Sequence, residues 1–347
     1  MKTLSYKSFS LKTHKKNQQK NKPNVCQFEL TFACGLSCKH CYTNCYNKPQ
    51  YIKKEMPLKE VKYILNEVYK YGILWLCFTG GDPLARKDFL DIYSYAKKKG
   101  FIITIFTNGY SMTREIALFL KNHPPFSIEI TLNAATQGLY EEISQVEGSF
   151  FKAADGIKLM LDMKLPLRIK TQVTKDNFKN LPEIKKFIEK LNLDFLPNAY
   201  LHACLNGDTA PCNLRISPQE ALYLKSKKTT VFDDCRPLND PRLFHCASAA
   251  RDGLHIDPYG NTFCCICIRK PKVNLLRENI ATADKIITNW VKRTDASFNP
   301  ECGACSRRML CRSCPGKALL ETKNLHGKIN WFCELAHLES PKKTYVP

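Results

Sequence analysis

The sequence predicts an α/β protein: a partial barrel of six βα units, followed by a small cysteine-rich α+β domain. Three observations carry this. Six short apolar runs alternate with amphipathic stretches across residues 25–205, that rhythm stops near residue 206, and many of the 18 cysteines crowd the chain after residue 245.

The strand candidates are 27–33, 73–79, 101–107, 126–132, 167–173 and 194–201. Several are near-continuous apolar runs, as expected for strands covered on both faces. Between them, the stretch 57–71 places Val61, Ile64, Leu65 and Val68 on one helical stripe, with Pro57 suited to the first turn and Gly72 to the stop. The stretch 86–99 ends at Gly100 in the same manner, and 183–191 gathers Ile184, Phe187, Ile188 and Leu191. Serial βα units build a parallel sheet with right-handed crossovers. Six such units fall short of the eight that close a TIM barrel, so an open, TIM-like barrel is predicted.

Residues 206–245, rich in Pro, Asn and Asp, read as a connector, and 246–347 as the second domain. Within it, 254–256 and 262–268 flank a turn through Asp257, Pro258, Tyr259, Gly260 and Asn261, which predicts a hairpin. A helix is expected around 281–292. Residues 1–24 hold seven lysines and no acid, and read as a flexible basic arm.

No run approaches the roughly 18 apolar residues of a membrane span, and the start of the chain lacks a signal-peptide core. A cytoplasmic protein without membrane contact is therefore expected. In a reducing compartment, 18 cysteines read as metal ligands or redox groups rather than disulfides. The formal net charge of +21 raises the question of nucleic acid. With no arginine-rich block and no recognisable nucleic-acid module, the basic surface reads as a solvated one, and a nucleic-acid substrate is not expected. A zinc-dependent nucleic-acid-binding protein stays as the non-enzymatic alternative.

The first cysteine group, Cys34-Gly-Leu-Ser-Cys38-Lys-His-Cys41, directly follows the first strand. Three thiolates from one loop can hold a cubane 4Fe–4S cluster, which normally takes four ligands, and so leave one iron open. A vacant position suits chemistry, whereas a closed set suits structure. Cys45 is the one local candidate for closing the set. The triplet resembles the mark of the radical S-adenosylmethionine (SAM) superfamily, Cys-x3-Cys-x2-Cys after the first strand of a partial barrel. His40 stands where that family places an aromatic residue. The resemblance implies SAM bound to the open iron and cleaved reductively to a 5′-deoxyadenosyl radical.

Gly80-Gly81-Asp82-Pro83 ends the second strand and is similar to the family's Gly-Gly-Glu-Pro segment beside the methionine amino group, with Asp82 for Glu. Thr107-Asn108-Gly109 is similar to a turn the family often shows near SAM. At the next two strand exits, Asn133 and Lys170 are candidates for SAM's ribose or carboxylate.

The second set comprises Cys246, Cys265, Cys302-x2-Cys305-x5-Cys311-x2-Cys314 and Cys333. With Gly260 it resembles the SPASM domain appended to many radical SAM enzymes, although the run's final gap is two residues rather than three. The resemblance implies two auxiliary 4Fe–4S clusters. Cys302, Cys305, Cys311 and Cys333 would hold one; Cys246, Cys265 and Cys314 would hold the other. Its fourth ligand is Cys267, Cys235 or an open position. A double zinc site is the structural alternative.

From the family, the expected substrate is a peptide or protein, crosslinked, epimerised or oxidised by hydrogen abstraction. Sulfatase maturation and tetrapyrrole chemistry are the enzymatic alternatives. A flavodoxin or ferredoxin would supply electrons, and a separate polypeptide would bind any leader peptide.

Overall fold

The computed structural model describes residues 5–20, 22–226, 253–296, 300–308 and 310–339. Cys235 and Cys246 lie outside the described residues, as does the second part of the expected connector, 227–245.

The strands are β1 (Val25–Thr31), β2 (Trp75–Gly80), β3 (Ile102–Thr107), β4 (Ser127–Thr131), β5 (Leu167–Gln172), β6 (Phe195–Asn198), β7 (Gly253–Ile256), β8 (Asn261–Phe263) and β9 (Val273–Asn274). They form one sheet in the order β6-β5-β4-β3-β2-β1-β7-β8-β9. Neighbours from β6 to β7 are parallel, and β7, β8 and β9 pair antiparallel. The first six strands coincide with the six predicted, so the fold is the expected partial barrel.

The crossover helices expected from the sequence are present as Leu58–Tyr71, Phe89–Lys99 and Leu181–Lys190. Helix Leu58–Tyr71 buries the predicted Val61, Ile64, Leu65 and Val68 and stops at Gly72, whose φ of 96° supplies a left-handed C-cap. Complete burial of such side chains is worth about 1.5–3 kcal/mol each. They meet the outward row of the sheet, in which Cys26, Phe28, Leu30, Phe78, Ile105, Ile130 and Ile169 belong to one core.

The other face of the sheet departs from the sequence reading. It is not a packed second apolar layer but the wall of an interior cavity where polar side chains stand among apolar ones, because side chains alternate between faces along a strand. Thr79, Phe106, Thr131, Lys170, Gln172 and Asn198 all line the same interior cavity.

Two further departures bear on the site. The residues expected to form a solvated arm instead form a helix, Tyr6–Gln19. Trp75 at the start of β2 donates from Nε1 to the Tyr6 hydroxyl (3.0 Å), and His14 meets the same indole edge-on at 4.6 Å. The helix thus sits across the end of the barrel where the strands begin. Ring contacts of Tyr6 with Phe126 and of Phe9 and His14 with Trp75 outweigh what the lysine count suggests, because the lysines need only one solvated face.

The hairpin read as part of the second domain also joins the barrel's own sheet. β7 pairs with β1 in parallel, from Val25↔Gly253 to Phe28↔Ile256. Arg269, just past the hairpin, is bound to buried Glu29 on β1 through Nη1–Oε2 (2.8 Å) and Nη2–Oε1 (3.0 Å). This buried, charge-assisted pair fixes the Cys265–Cys267 segment against the barrel.

Candidate active site

β1 leaves the sheet through a register shift between Glu29 and Thr31 and runs into the cysteine loop. Asn47 clasps that loop from one side: its Oδ1 accepts from Cys34 N (3.1 Å), and its Nδ2 donates to the Cys34 and Leu36 carbonyls (3.0 and 3.2 Å). On the other side, Ser37 N and Lys39 N donate to the Ser144 and Ile143 carbonyls of helix Gln137–Ser144 (2.9 and 3.1 Å). Held this way, Cys34, Cys38 and Cys41 share the wall of a cavity of about 290 Å³.

The chemistry of this donor set fits an iron–sulfur cluster. Burial above all, with a contribution from Asp82, pushes the Cys34 thiol up to about 12. Burial, then the Cys41 and Cys34 sulfurs, raise Cys38. Soft thiolates are what iron–sulfur clusters take, and three such side chains stand together on this wall. Cys45 is not on this wall. Its Sγ donates to the Tyr42 carbonyl at 3.8 Å instead.

Gly80 and Gly81 line the cavity and are forced by close approach. A Cβ at Gly80, whose φ is 134°, would lie 2.0 Å from the Thr31 carbonyl oxygen; one at Gly81 would lie 2.4 Å from that of Ala33. The absent side chains leave the backbone bare at the mouth of the cavity.

Asp82 and Pro83, expected beside SAM, do not line the cavity. The buried Asp82 carboxylate turns toward the exit of β3 and accepts from Thr107 Oγ1 (2.8 Å), Leu84 N (2.9 Å) and Asn108 N (3.1 Å). Pro83 opens a short 3-10 turn, Pro83–Ala85, in the buried layer.

Burial outweighs these three donors and raises Asp82 to about 6. A raised carboxyl favours folding in its protonated form. That contribution is full below the usual aspartate range near pH 4 and is lost as pH rises through about 6. Asp82→Asn is therefore expected to flatten the dependence of the melting temperature on pH between 4 and 7, by an amount on the order of 2 kcal/mol. Melts that vary with pH as steeply in the variant as in the parent would refute it.

The remaining candidates converge on the cavity. Thr107 and Asn108 line it, and Asn108 Nδ2 donates to Cys34 Sγ at 3.2 Å. Asn133 Nδ2 lies 3.4 Å from His40 Nε2, while Asn133 Oδ1 accepts from Gln172 N (2.9 Å). Burial holds the His40 ring down at about 4, so it is neutral. Lys170 is ion-paired with Glu129 on β4, and its Nζ lies 4.5 Å from the Phe106 ring centre.

Tyr42, Tyr140, Ile143, Gln172, Asn198 and His202 also line the cavity and were not anticipated. Gln172 and Asn198 carried a signal, being polar residues two places on from, or aligned with, lumen-facing strand positions. Tyr140 and Ile143 carried none, because only the tertiary fold brings their helix over the loop.

The second cysteine set divides in space. Cys302, Cys305, Cys311, Cys314 and Cys333 surround a separate small cavity of about 70 Å³. Cys265 stands apart with Cys267, whose N–H donates to Cys265 Sγ (3.4 Å). Helix Pro315–Thr322 connects the two places. Cys314 caps it, accepting from Lys317 N at 3.5 Å, while a Cβ at Gly316 would lie 2.9 Å from Cys267 Cβ. His202 bridges back to the main cavity. Its Nδ1 donates to the Ala203 carbonyl (2.9 Å), which leaves Nε2 bare and facing Cys267 Sγ at 3.8 Å.

The thiol triplet lies at the strand ends of a six-stranded partial barrel, and residues 28–191, which include it, match the radical SAM superfamily. The match ends before the second cysteine set.

Among curated proteins, the chain is similar to the AdoMet-dependent heme synthase of Oleidesulfovibrio alaskensis (28% identity over 164 residues, 47% of this chain and 42% of that protein). It is also similar to the PqqA peptide cyclase of Bradyrhizobium diazoefficiens (26% over 177 residues, 50% and 45%). The matches thus span less than half the length of these relatives. Among solved structures, Streptococcus suis SuiB bound to its precursor peptide SuiA shares the fold, with a TM-score of 0.68 at 16% identity over 96% of this chain and 82% of that one.

Proposed function

We propose that the protein is a radical SAM enzyme that abstracts a hydrogen atom from a peptide or protein substrate. The observation that carries this reading is the open arrangement of Cys34, Cys38 and Cys41 on one wall of an interior cavity, with Cys45 turned away from it. A 4Fe–4S cluster held by those thiolates would supply the electron for reductive cleavage of SAM.

The chain's own residues do the rest. Gly80 and Gly81 offer bare backbone to the methionine end. Asn133, Lys170 and Gln172 offer polar groups to the ribose and carboxylate. Glu129 and the Phe106 ring position the Lys170 ammonium. Leu36, Phe106, Tyr140 and Ile143 keep the walls apolar where water would quench a radical.

The test is direct. Protein reconstituted with iron and sulfide without oxygen should be brown and should release 5′-deoxyadenosine from SAM and dithionite. A colourless protein carrying stoichiometric zinc would overturn the reading.

Cys302, Cys305, Cys311 and Cys333 would hold one auxiliary cluster, supported by their shared cavity. Cys265 and Cys314, with Cys246, would hold the second, and Cys267, Cys235 or an open position would complete it. Cys305→Ala is expected to lower the iron content by about a third and to reduce substrate turnover, while some uncoupled SAM cleavage survives. Iron analysis and product assay together check this; unchanged iron would contradict it.

Peptide chemistry is supported by the peptide-cyclase relative and by the shared fold with a peptide-bound enzyme. A flavodoxin or ferredoxin as reductant and a separate leader-binding polypeptide belong to the same reading. A tetrapyrrole substrate is the second reading, favoured by the heme synthase relative. Deuterium appearing in 5′-deoxyadenosine from a labelled peptide, but not from a porphyrin labelled on its side chains, separates the two.

A further inference from the structure

Two polar side chains touch the sulfurs of the triplet, and neither belongs to the cysteine motif. Asn108 Nδ2 lies 3.2 Å from Cys34 Sγ, and Thr43 Oγ1 lies 3.3 Å from Cys41 Sγ. We propose that Asn108 and Thr43 are hydrogen-bond donors to the cluster's thiolates, setting its reduction potential rather than contacting SAM. This rests on the reading that Cys34, Cys38 and Cys41 hold a cluster.

The Asn108 amide has one orientation. Its Oδ1 accepts from Tyr110 N (2.8 Å), which directs Nδ2 to the sulfur. Its backbone N–H is tied to Asp82 Oδ2 (3.1 Å), and Thr107 holds the same carboxylate. The Tyr110 ring lies over Gly35, where an added Cβ would come within 2.3 Å of it. The β3 exit is thereby clamped onto the chain beside Cys34, and the amide cannot swing into the cavity without breaking the turn.

At Cys41 the assignment follows from chemistry. A metal-bound thiolate has no proton, so the hydroxyl of Thr43 must be the donor across that contact. Thr43 is only 2% exposed, so water does not compete for the bond.

Reduction adds negative charge that spreads onto the sulfurs. Donors aimed at them stabilise the reduced state more than the oxidised state and raise the potential. The donors sit on two of the three sulfurs. Among the described contacts none reaches Cys38 Sγ from a side chain.

The test is the midpoint potential of the cluster in protein free of SAM, followed by electron paramagnetic resonance. Thr43→Val, which keeps shape and loses the donor, and Asn108→Ser, which is too short to reach the sulfur, should each shift it to more negative values. The double variant should shift it further, with iron content equal to the parent. Unchanged potentials at full iron would overturn the proposal, as would a shift seen only with SAM present, which would make Asn108 a SAM contact.

Should Asn108→Ser fail to load iron, parent protein labelled with 15N-asparagine decides the matter. A 15N coupling to the reduced cluster supports the bond, and its absence refutes it. Parent protein that takes up no iron would instead sink the enzyme reading itself.

Discussion

Cys38→Ala is expected to reduce 5′-deoxyadenosine formation to background while leaving the barrel folded. Both halves follow from how the loop is built. Its shape is held by backbone bonds, Ser37 N to Ser144 O and Lys39 N to Ile143 O, and by the Asn47 clasp, none of which uses the Cys38 sulfur. The loop therefore survives the substitution. The cluster does not, because two thiolates remain where an open cubane needs three. Product chromatography after reconstitution, beside a thermal melt, reads both. Cleavage at the parent's rate would remove the assignment of these thiols.

The second large effect is structural and sits where β2 meets the end of β1, beside the cysteine loop. Gly80→Ala is expected to cost about 3 kcal/mol or more, combining a strained φ with a collision that no side-chain rotation relieves. Its φ is 134°, and the new methyl would lie 2.0 Å from the Thr31 carbonyl oxygen, which is backbone. The ends of β1 and β2 would have to part, and with them the cysteine loop and the glycine edge. Chemical denaturation reads the loss, and iron uptake should fall in parallel. A variant as stable as the parent would show that the exits of β1 and β2 are less tightly joined than their geometry indicates.

Local patterning made the barrel legible. The stripe Val61, Ile64, Leu65 and Val68 and the stop at Gly72 needed no tertiary information, and the structure buries those four residues together. The cysteine triplet was legible because three metal-binding side chains on one loop carry their spacing in the sequence. What could not be read was set by partners distant in the chain. Asp82 looked like a ligand contact, yet besides Leu84 its partners are Thr107 and Asn108, more than twenty positions away, and they turn it inward.

The basic N-terminal segment was misjudged for the same reason. Tyr6 and His14 find Trp75 only once β2 is in place, so charge count alone described a solvated strand of chain where there is a helix. The hairpin near residue 256 was foreseen, but its pairing with β1 was not, since a parallel partner leaves no local signature.

The most direct test of the central claim is electron–nuclear double resonance on the reduced, reconstituted protein with SAM labelled with 15N at the methionine amino group and 17O at the carboxylate. Couplings from both labels are expected, because one iron of a cluster held by Cys34, Cys38 and Cys41 would have no side chain on it. A paramagnetic cluster that shows neither coupling, with Cys45 or another residue as its fourth ligand, would contradict it.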